Sequence, residues 1–437
     1  MSFKDKILSS FIAFENELDT ETYAHQLRNE ALATFEEMGI PQRKEEAYKY
    51  TSLKSVFNKD YSLFPKKETN ISYGDIKEYL VHQIDAYRVI FIDGIYSSHL
   101  SQTTHDKFDV CLMSSALNNP KYHPIIEAFY NKLAPKDGLT SLNTAFAREG
   151  AYIHIGKNTA VEKPIEIVYF STGNESSLMT QPRNLVVAGE NSQVQIIERH
   201  QSLSENDVLT NSVTEIFADK RAMVDYYKIQ NDHLNASLID HTSVEQQSDS
   251  EVRLHTFSFG GGLTRNNLNF YQRGEHCNSL LNGVTIIEGK QHVDHSTLVH
   301  HTAPNCESYQ EYKQIFDDKA VGVFNGKVLV DKIAQKINAF QQNNNILVSD
   351  KATINAKPQL EIFADDVRCS HGCTIGQLDE DALFYMQSRG IGKKEARALL
   401  MFAFANSVLE SVKIPEIKSR ITKLIAKKLG VEIGFDL

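Results

Sequence analysis

The chain is 437 residues long, yet it has no tryptophan, only 10 prolines and only five cysteines. Those cysteines are Cys111, Cys277, Cys306, Cys369 and Cys373, an odd number at irregular spacing. That excludes a disulfide framework and predicts free thiols in a reducing, cytoplasmic compartment. Positive charge is also short. Lys plus Arg total 46 against 56 for Asp plus Glu, a net charge of −10. An acidic chain without a basic run repels phosphate backbones, so nucleic-acid binding is not expected. No apolar stretch is long enough to span a bilayer, so no membrane association is expected. The first residues, Met1-Ser-Phe-Lys4-Asp-Lys6, lead to Glu15 and Glu17 with no long apolar region and no small-residue cleavage site, unlike a signal peptide.

Several chemical signatures are missing too. Gly322-Val-Phe-Asn-Gly326-Lys327-Val328 imitates a phosphate-binding loop, but its glycine spacing is short and Val328 has no hydroxyl for magnesium. The chain therefore carries no ATP site of its own. There is no Gly-x-Gly-x-x-Gly, no His-Glu-x-x-His and no Gly-x-Ser-x-Gly. Without paired Cys-x-x-Cys knuckles a structural zinc is not expected.

What is present falls into three textures. The first forty residues read as helix, with a stripe of Tyr23, Leu27, Ala31 and Phe35 closed by Met38, and with Asp19 and Thr20 as caps. Short mixed segments follow, including a buried strand at Val89-Ile-Phe-Ile92 ended by Asp93-Gly94. From about residue 145 short alternating runs take over, such as Leu185–Ala188, Val194–Ile197, Val252–Phe259, Leu268–Tyr271 and Val284–Ile287. Gly189-Glu-Asn191, Gly260-Gly-Gly262, Gly274, Asn282-Gly283, Gly289 and Asn325-Gly326 read as the turns between them. This spacing suits a sandwich, a barrel or a solenoid; the stretch is long for a simple sandwich, and a β-solenoid absorbs such length by stacking short rungs, but no strict repeat is visible. After Gly376 the helical period returns. Asp379 caps a helix with Leu383 and Met386 that ends at Gly390. A second carries Ala396, Leu399, Leu400, Ala403 and Val408 on one face, and a third starts at Pro415 with Ile417, Ile421, Leu424, Ile425 and Leu429. The predicted regions are 1–140 (helical and mixed), 141–375 (β core) and 376–437 (helical tail).

Three constellations carry chemistry. In Arg368-Cys369-Ser370-His371-Gly372-Cys373, two thiols and an imidazole suit zinc, copper or iron–sulfur units. On a strand Cys369, His371 and Cys373 share one face. The alternative is a polar turn leaving the core. The second is His292-Val-Asp294-His295-Ser-Thr-Leu-Val-His300-His301, either a divalent-ion site, with Cys306 nearby, or a solvent-facing rung bonded to its neighbours. On a strand His292 and Asp294 share one face and His295 takes the other. The third is the tail, whose apolar stripes face either the core or a partner.

With these residues in view, the chain resembles the SufB/SufD family of iron–sulfur cluster assembly subunits over nearly its whole length. Gly39-Ile-Pro41-Gln-Arg43-Lys-Glu-Glu46-Ala-Tyr48-Lys49-Tyr50-Thr51 is similar to the family's Gly-x-Pro…Glu-x-(Trp/Tyr)-Lys-Tyr-Thr segment. Leu142–Phe146, Asp294–Gln310, Lys336–Leu347, Lys357–Ile362 and the run from Asp365 to Ile391 follow in family order. The SufB branch has a Glu-His-Glu-type stretch at the position of Cys369-Ser-His371-Gly372, and a cysteine upstream that Asn343 to Lys357 lacks, so the resemblance is to the SufD branch. It implies a mainly β fold, a right-handed parallel β-helix flanked by N- and C-terminal helical regions. It implies a non-catalytic scaffold that pairs with a SufB-like subunit through the β-helix and docks a SufC-like ABC ATPase on the C-terminal helices. His371, with Cys369 beside it, then corresponds to the metal donors that hold a nascent iron–sulfur cluster shared with the SufB-like partner. Cys373 stands where the family has alanine. Alone, the chain is expected to pair with itself. The alternatives are a structural partner without cluster ligation and a β-helix polysaccharide-acting enzyme.

Overall fold

The fold is seen in a computed structural model that describes residues 3–18, 23–63, 69–81, 84–103, 107–173 and 177–431. The caps expected at Asp19 and Thr20 lie outside these residues. The centre is a parallel β-solenoid of about eight turns with helices at both ends. Two long ladders run along it. One has ten strands, from Ile95–Tyr96 and Tyr87–Ile92 to Ile337–Leu347 and Val367–Gly376; the other runs from Asp109–Leu112 to Val321–Val330 and Thr353–Ile362. Each turn gives one strand to each ladder, and neighbouring turns lie in register, as in Tyr226 beside Ile196 and Leu254. The ladders begin before residue 141, because Tyr87–Ile92 already pairs in parallel with Ile165–Ser171. This first strand ends as the sequence indicates, at Asp93 and Gly94, both with positive φ.

The repeat hidden in the sequence is conformational. Asn191, Arg221, Asp249, His276, Asn305 and Lys336 all have φ between 57° and 62°, at intervals of 30, 28, 27, 29 and 31 residues. Each marks the same corner of successive rungs. The amide of Asn191 donates to Lys220, that of Arg221 to Ser248 and that of Asn305 to Gln335, each time to the carbonyl just before the next rung's corner. Left-handed backbone favours Asn and Asp. Here Arg, His and Lys occupy it as well, since backbone hydrogen bonds on both sides hold the turn.

Two expected turns are not turns. Asn282-Gly283 lies inside the strand Asn278–Ile287, and Asn325-Gly326 inside Val321–Val330. Both glycines face a crowded interior. A Cβ on Gly283 would stand 2.4 Å from the Tyr312 ring, and one on Gly326 2.5 Å from Gln341 Nε2. They are glycine because the solenoid is narrow, and neighbouring rungs fill the vacated space with larger side chains.

The inward columns change character along the axis. Val194, Val224 and Val252 stack as apolar layers. Next to them Glu198, Lys228 and Asp240 are buried as an ionic cluster, with Lys228 Nζ 2.6 Å from Asp240 and 3.2 Å from Glu198. Asp240 and Glu198 offset the desolvation of the Lys228 ammonium, and loss of one partner would leave a buried charge uncompensated.

Helices cover the outer faces. Phe3–Glu15 and Tyr23–Met38 pack on one ladder through Ile7, Phe11, Phe14, Ala31 and Phe35, over Leu209, Ile239 and Leu263. Met38, placed in the stripe from sequence, is 53% exposed, because the buried face of its helix runs through Ala24, Arg28, Ala31 and Phe35. The tail covers the other ladder. Asp379 caps Glu380–Ser388 as expected, and Gly390 follows with φ +87°. Lys393–Asn406 buries Ala396, Ala398, Met401 and Ala405, rather than Leu399, Leu400 and Ala403. Small residues let this helix lie close to the strands, and the leucines sit on its flanks. Pro415–Leu429 buries Ile417, Ile421 and Ile425 as expected, and its Leu424 and Leu429 are half-buried. No helix among the described residues is long and apolar enough to cross a membrane.

The tail is bolted to the solenoid by polar contacts. His255 pairs with Ser411 at 2.9 Å, Asn282 Nδ2 donates to the same hydroxyl at 2.8 Å, and the Lys413 amide donates to the Tyr227 hydroxyl at 3.2 Å. Burial pulls the His255 pKa down to about 4, with Asp225 opposing and Arg253 assisting. The folded chain therefore refuses a proton that the unfolded chain accepts below about pH 6.5. Stability from this group is complete above that pH and falls as the pH drops towards 4. A denaturant series should lose about 2 kcal/mol to His255 between pH 7 and pH 5, and His255→Gln should flatten the profile. An unchanged slope in the variant would refute the assignment.

Candidate functional site

The last rung is where the solenoid stops. Thr353–Ile362 and Val367–Gly376 each end their ladder, so one edge of each strand has no strand neighbour. Register fixes which side chains face inward. Cys369 lies beside Ala339, His371 beside Gln341 and Cys373 beside Asn343. Those three neighbours are at most 1% exposed, so the three donors belong to the inward columns. They are not sealed, because no rung covers them: His371 and Cys373 are exposed and Cys369 is half-buried. The single face expected for the three donors is present, at the open mouth of the solenoid.

Beneath the mouth lies a floor of amides. Gln341 donates to Gln310, and Gln310 donates to Thr297 Oγ1 at 2.6 Å. Asn345 Nδ2 donates to Asn343 Oδ1 at 2.7 Å and to the Thr374 carbonyl at 3.0 Å. Both amide atoms of Gln314, together with Gln341 Oε1, Asn343 Nδ2 and Asn345 Oδ1, are buried without a hydrogen-bond partner. Orphaned buried polar atoms are uncommon and mark places where water or a ligand completes the set. The signal was in the sequence as Gln341-Gln-Asn-Asn-Asn345, polar at inward positions where a strand normally buries apolar side chains.

The two thiols of the mouth have different surroundings. Cys369 packs with Leu360, Ile362 and Val367 in an apolar cluster. The Cys373 thiol lies 3.7 Å from Asn343 Oδ1 and 3.8 Å from Asn345 Nδ2. Partial burial raises the pKa of both thiols, so both are protonated near neutral pH. Alternate residues on a strand stand about 6.8 Å apart. No group of three or more His, Cys, Asp or Glu gathers to hold a metal ion among the described residues.

The histidine-rich strand is not such a group either. His292 pairs with Thr51 at 2.9 Å and His300 with Asp331 at 3.0 Å. His295 faces inward, 2.8 Å from Thr285 Oγ1, and His301 lies 3.0 Å from Ser308 Oγ. Burial drives His295 and His301 down to about 3, so both are neutral. The strand does bond to its neighbours, yet it faces solvent less than expected, since Asp294, His295 and His301 are buried. The cover is the segment around Tyr48-Lys-Tyr-Thr51. The Arg265 guanidinium sits 3.9 Å above the Tyr48 ring centroid and pairs with Asp294, which also accepts from Thr51. Lys357, on a terminal strand, meets Glu46 at 2.6 Å. This strap ties the N-terminal block to the open rung. Cys277 and Cys306 are buried at successive corners, with both thiols directed at the Gly274 carbonyl (3.2 and 3.3 Å).

The solenoid is covered by helices on its flanks, and its last rung carries two thiols and an imidazole on one face. The chain belongs to the SufBD family of the SUF iron–sulfur cluster assembly system: the SufBD core domain matches residues 170–404 and the SufBD N-terminal region residues 5–167. An iron–sulfur cluster assembly SufBD family protein of Synechocystis is 32% identical over 399 residues, 89% of this chain and 87% of that protein. The iron–sulfur cluster assembly protein SufD of Escherichia coli is 28% identical over 394 residues, 90% of each chain. SufD of Bacillus subtilis is 27% identical over 342 residues, 76% of this chain and 77% of that one. The role of the chain is in iron–sulfur cluster assembly.

Exposure orders the thiols. Under brief alkylation of the folded chain, Cys373 should label first, Cys369 and Cys111 more slowly, and Cys277 and Cys306 only on unfolding. Cys111 is slowed further, since burial pushes its thiol to about 11. Peptide mass spectrometry after timed quenching checks this, and labelling of Cys369 as fast as Cys373 would contradict the geometry.

Proposed function

We propose that the chain is a non-catalytic scaffold subunit, working in the cytoplasm, that pairs through the open end of its solenoid with a SufB-like subunit and through its C-terminal helices with a SufC-like ABC ATPase. The nascent iron–sulfur cluster is the cargo. It is held at the junction of the two solenoids, with His371 as this chain's donor, Cys369 as the thiol beside it and the remaining donors supplied by the partner. The observation that carries this reading is the unfinished last rung, where inward-facing side chains lie at an edge that no strand among the described residues covers and that suits another chain. A neutral imidazole ligates iron, and its use in place of a thiolate removes one negative charge, which suits a cluster meant to be passed on. ATP-driven motion of the ATPase, transmitted through the tail, would open and close the junction. Phe384 and Tyr385, 75% and 59% exposed on Glu380–Ser388, support the tail as a docking face. Without its partner, the same open end would pair with a second copy of this chain.

The test is anaerobic co-expression with SufB-like and SufC-like partners. His371→Ala should leave the complex intact and remove most of the cluster absorbance and bound iron, with Cys369→Ala giving a smaller loss. Full cluster content in the His371 variant would make the chain a structural partner without ligation. Failure of the wild type to co-purify would sink the scaffold reading altogether.

A further inference from the structure

His371 has two cysteine neighbours on its strand, and their environments are not alike. Cys369 continues the column of Ala339 and lies against Leu360, Ile362 and Val367, an apolar setting that a thiol fills as a small hydrophobe. Cys373 continues the column of Tyr312 and Asn343 and rests on the amide floor. It is exposed on the side where a partner or cargo would arrive.

The floor carries the second observation. Asn345 donates through one Nδ2 to both Asn343 Oδ1 and the Thr374 carbonyl, which fixes how both amides are turned. That leaves Asn343 Nδ2, on a residue that is 0% exposed, as a donor with no acceptor. The same amide already touches the Cys373 sulfur through its oxygen, at 3.7 Å. A buried N–H without an acceptor is costly, and this one lies one rung beneath the mouth. N–H donors to ligand or bridging sulfurs are among the ways a protein tunes an iron–sulfur unit.

We propose that Cys373 is a further donor to the cluster, a thiolate next to His371 on the side away from Cys369, with the Asn345 amide as its hydrogen-bonding support. The inference rests on the reading of His371 as a donor and adds a residue to it. His371 and Cys373 share one face of the strand, with about 6.8 Å between their backbone positions, which suits two corners of a cluster with several irons. Binding needs no oxidant or reductant. The thiol gives its proton to solvent and a sulfur lone pair to iron. Asn345 Nδ2, 3.8 Å from the sulfur, is the N–H donor that supports it. Asn345 is then a positioning residue, and Cys373 the ligand.

The experiment uses the complex co-expressed anaerobically with the SufB-like and SufC-like partners. Bound iron and sulfide are measured for wild type, His371→Ala, Cys373→Ala and Cys373→Ser. Cys373 alkylation is followed in the loaded complex and after iron is chelated. Cys373 is at the surface, so its variants should fold and assemble. The expected result is several-fold less retained iron in both Cys373 variants, with Cys373 protected from alkylation until the iron is removed. If His371→Ala loses iron while the Cys373 variants keep it, or if chelation leaves the labelling of Cys373 unchanged, the inference fails and the scaffold reading stands. If His371→Ala keeps its iron, the scaffold reading fails and this inference fails with it.

Discussion

Everything in this molecule depends on parallel strands stacking in register. Each rung pairs its backbone with the rung before and the rung after, and side chains of matching positions fall into straight columns. The pairing leaves polar backbone unsatisfied only where the stack stops. At the first end the hairpin strand Ile95–Tyr96 and the antiparallel strand Asp109–Leu112 close the ladders. At the other end no strand among the described residues does so, and the columns run out as Cys369, His371 and Cys373. The candidate site is thus an interior that was never closed, rather than a pocket carved into a surface.

The flanking elements hold that end at a defined place. The strap around Tyr48 and Thr51 is clamped by Arg265 and Asp294 and reaches Lys357 on the terminal rung. The tail grips the opposite ladder through Ser411, Lys413 and Arg397. Both are therefore rigidly referenced to the donors. The columns also separate charge from the mouth. Glu198 and Lys228 occupy the same column as Cys373, many layers deeper, and only neutral side chains lie between them. A fixed carboxylate directly under Cys373 would hold its thiol still more firmly in the protonated form. Amides present either a donor or an acceptor without committing to a sign.

Much of this was legible from residues alone. The alternating runs indicated many short strands, the family resemblance singled out the solenoid among sandwich, barrel and solenoid, and a period of two put Cys369, His371 and Cys373 on one face. The helical tail and its Asp379 cap followed from local rules. Other features resisted for physical reasons. The repeat escaped because its marker is a backbone conformation shared by Asn, Arg, Asp, His and Lys, not a residue type. Asn282-Gly283 and Asn325-Gly326 imitate turns, yet their glycines answer to Tyr312 and Gln341 in adjoining rungs. Four histidines in ten residues imitate a metal site, but each is directed to a different partner by the pleat and by the strap. The amide floor needed the register of three rungs to be seen at all.

The recurring corner makes the length of this protein an integer. Inserting or deleting one residue within a strand flips every side chain beyond it between core and exterior. Adding or removing a whole rung of about thirty residues preserves every column and only changes how far apart the ends are, by about 4.8 Å. From Lys228 to Cys373 the chain counts five such layers, about 24 Å. A lineage of such proteins can therefore drift freely in sequence along its strands, but it can change its reach only in steps.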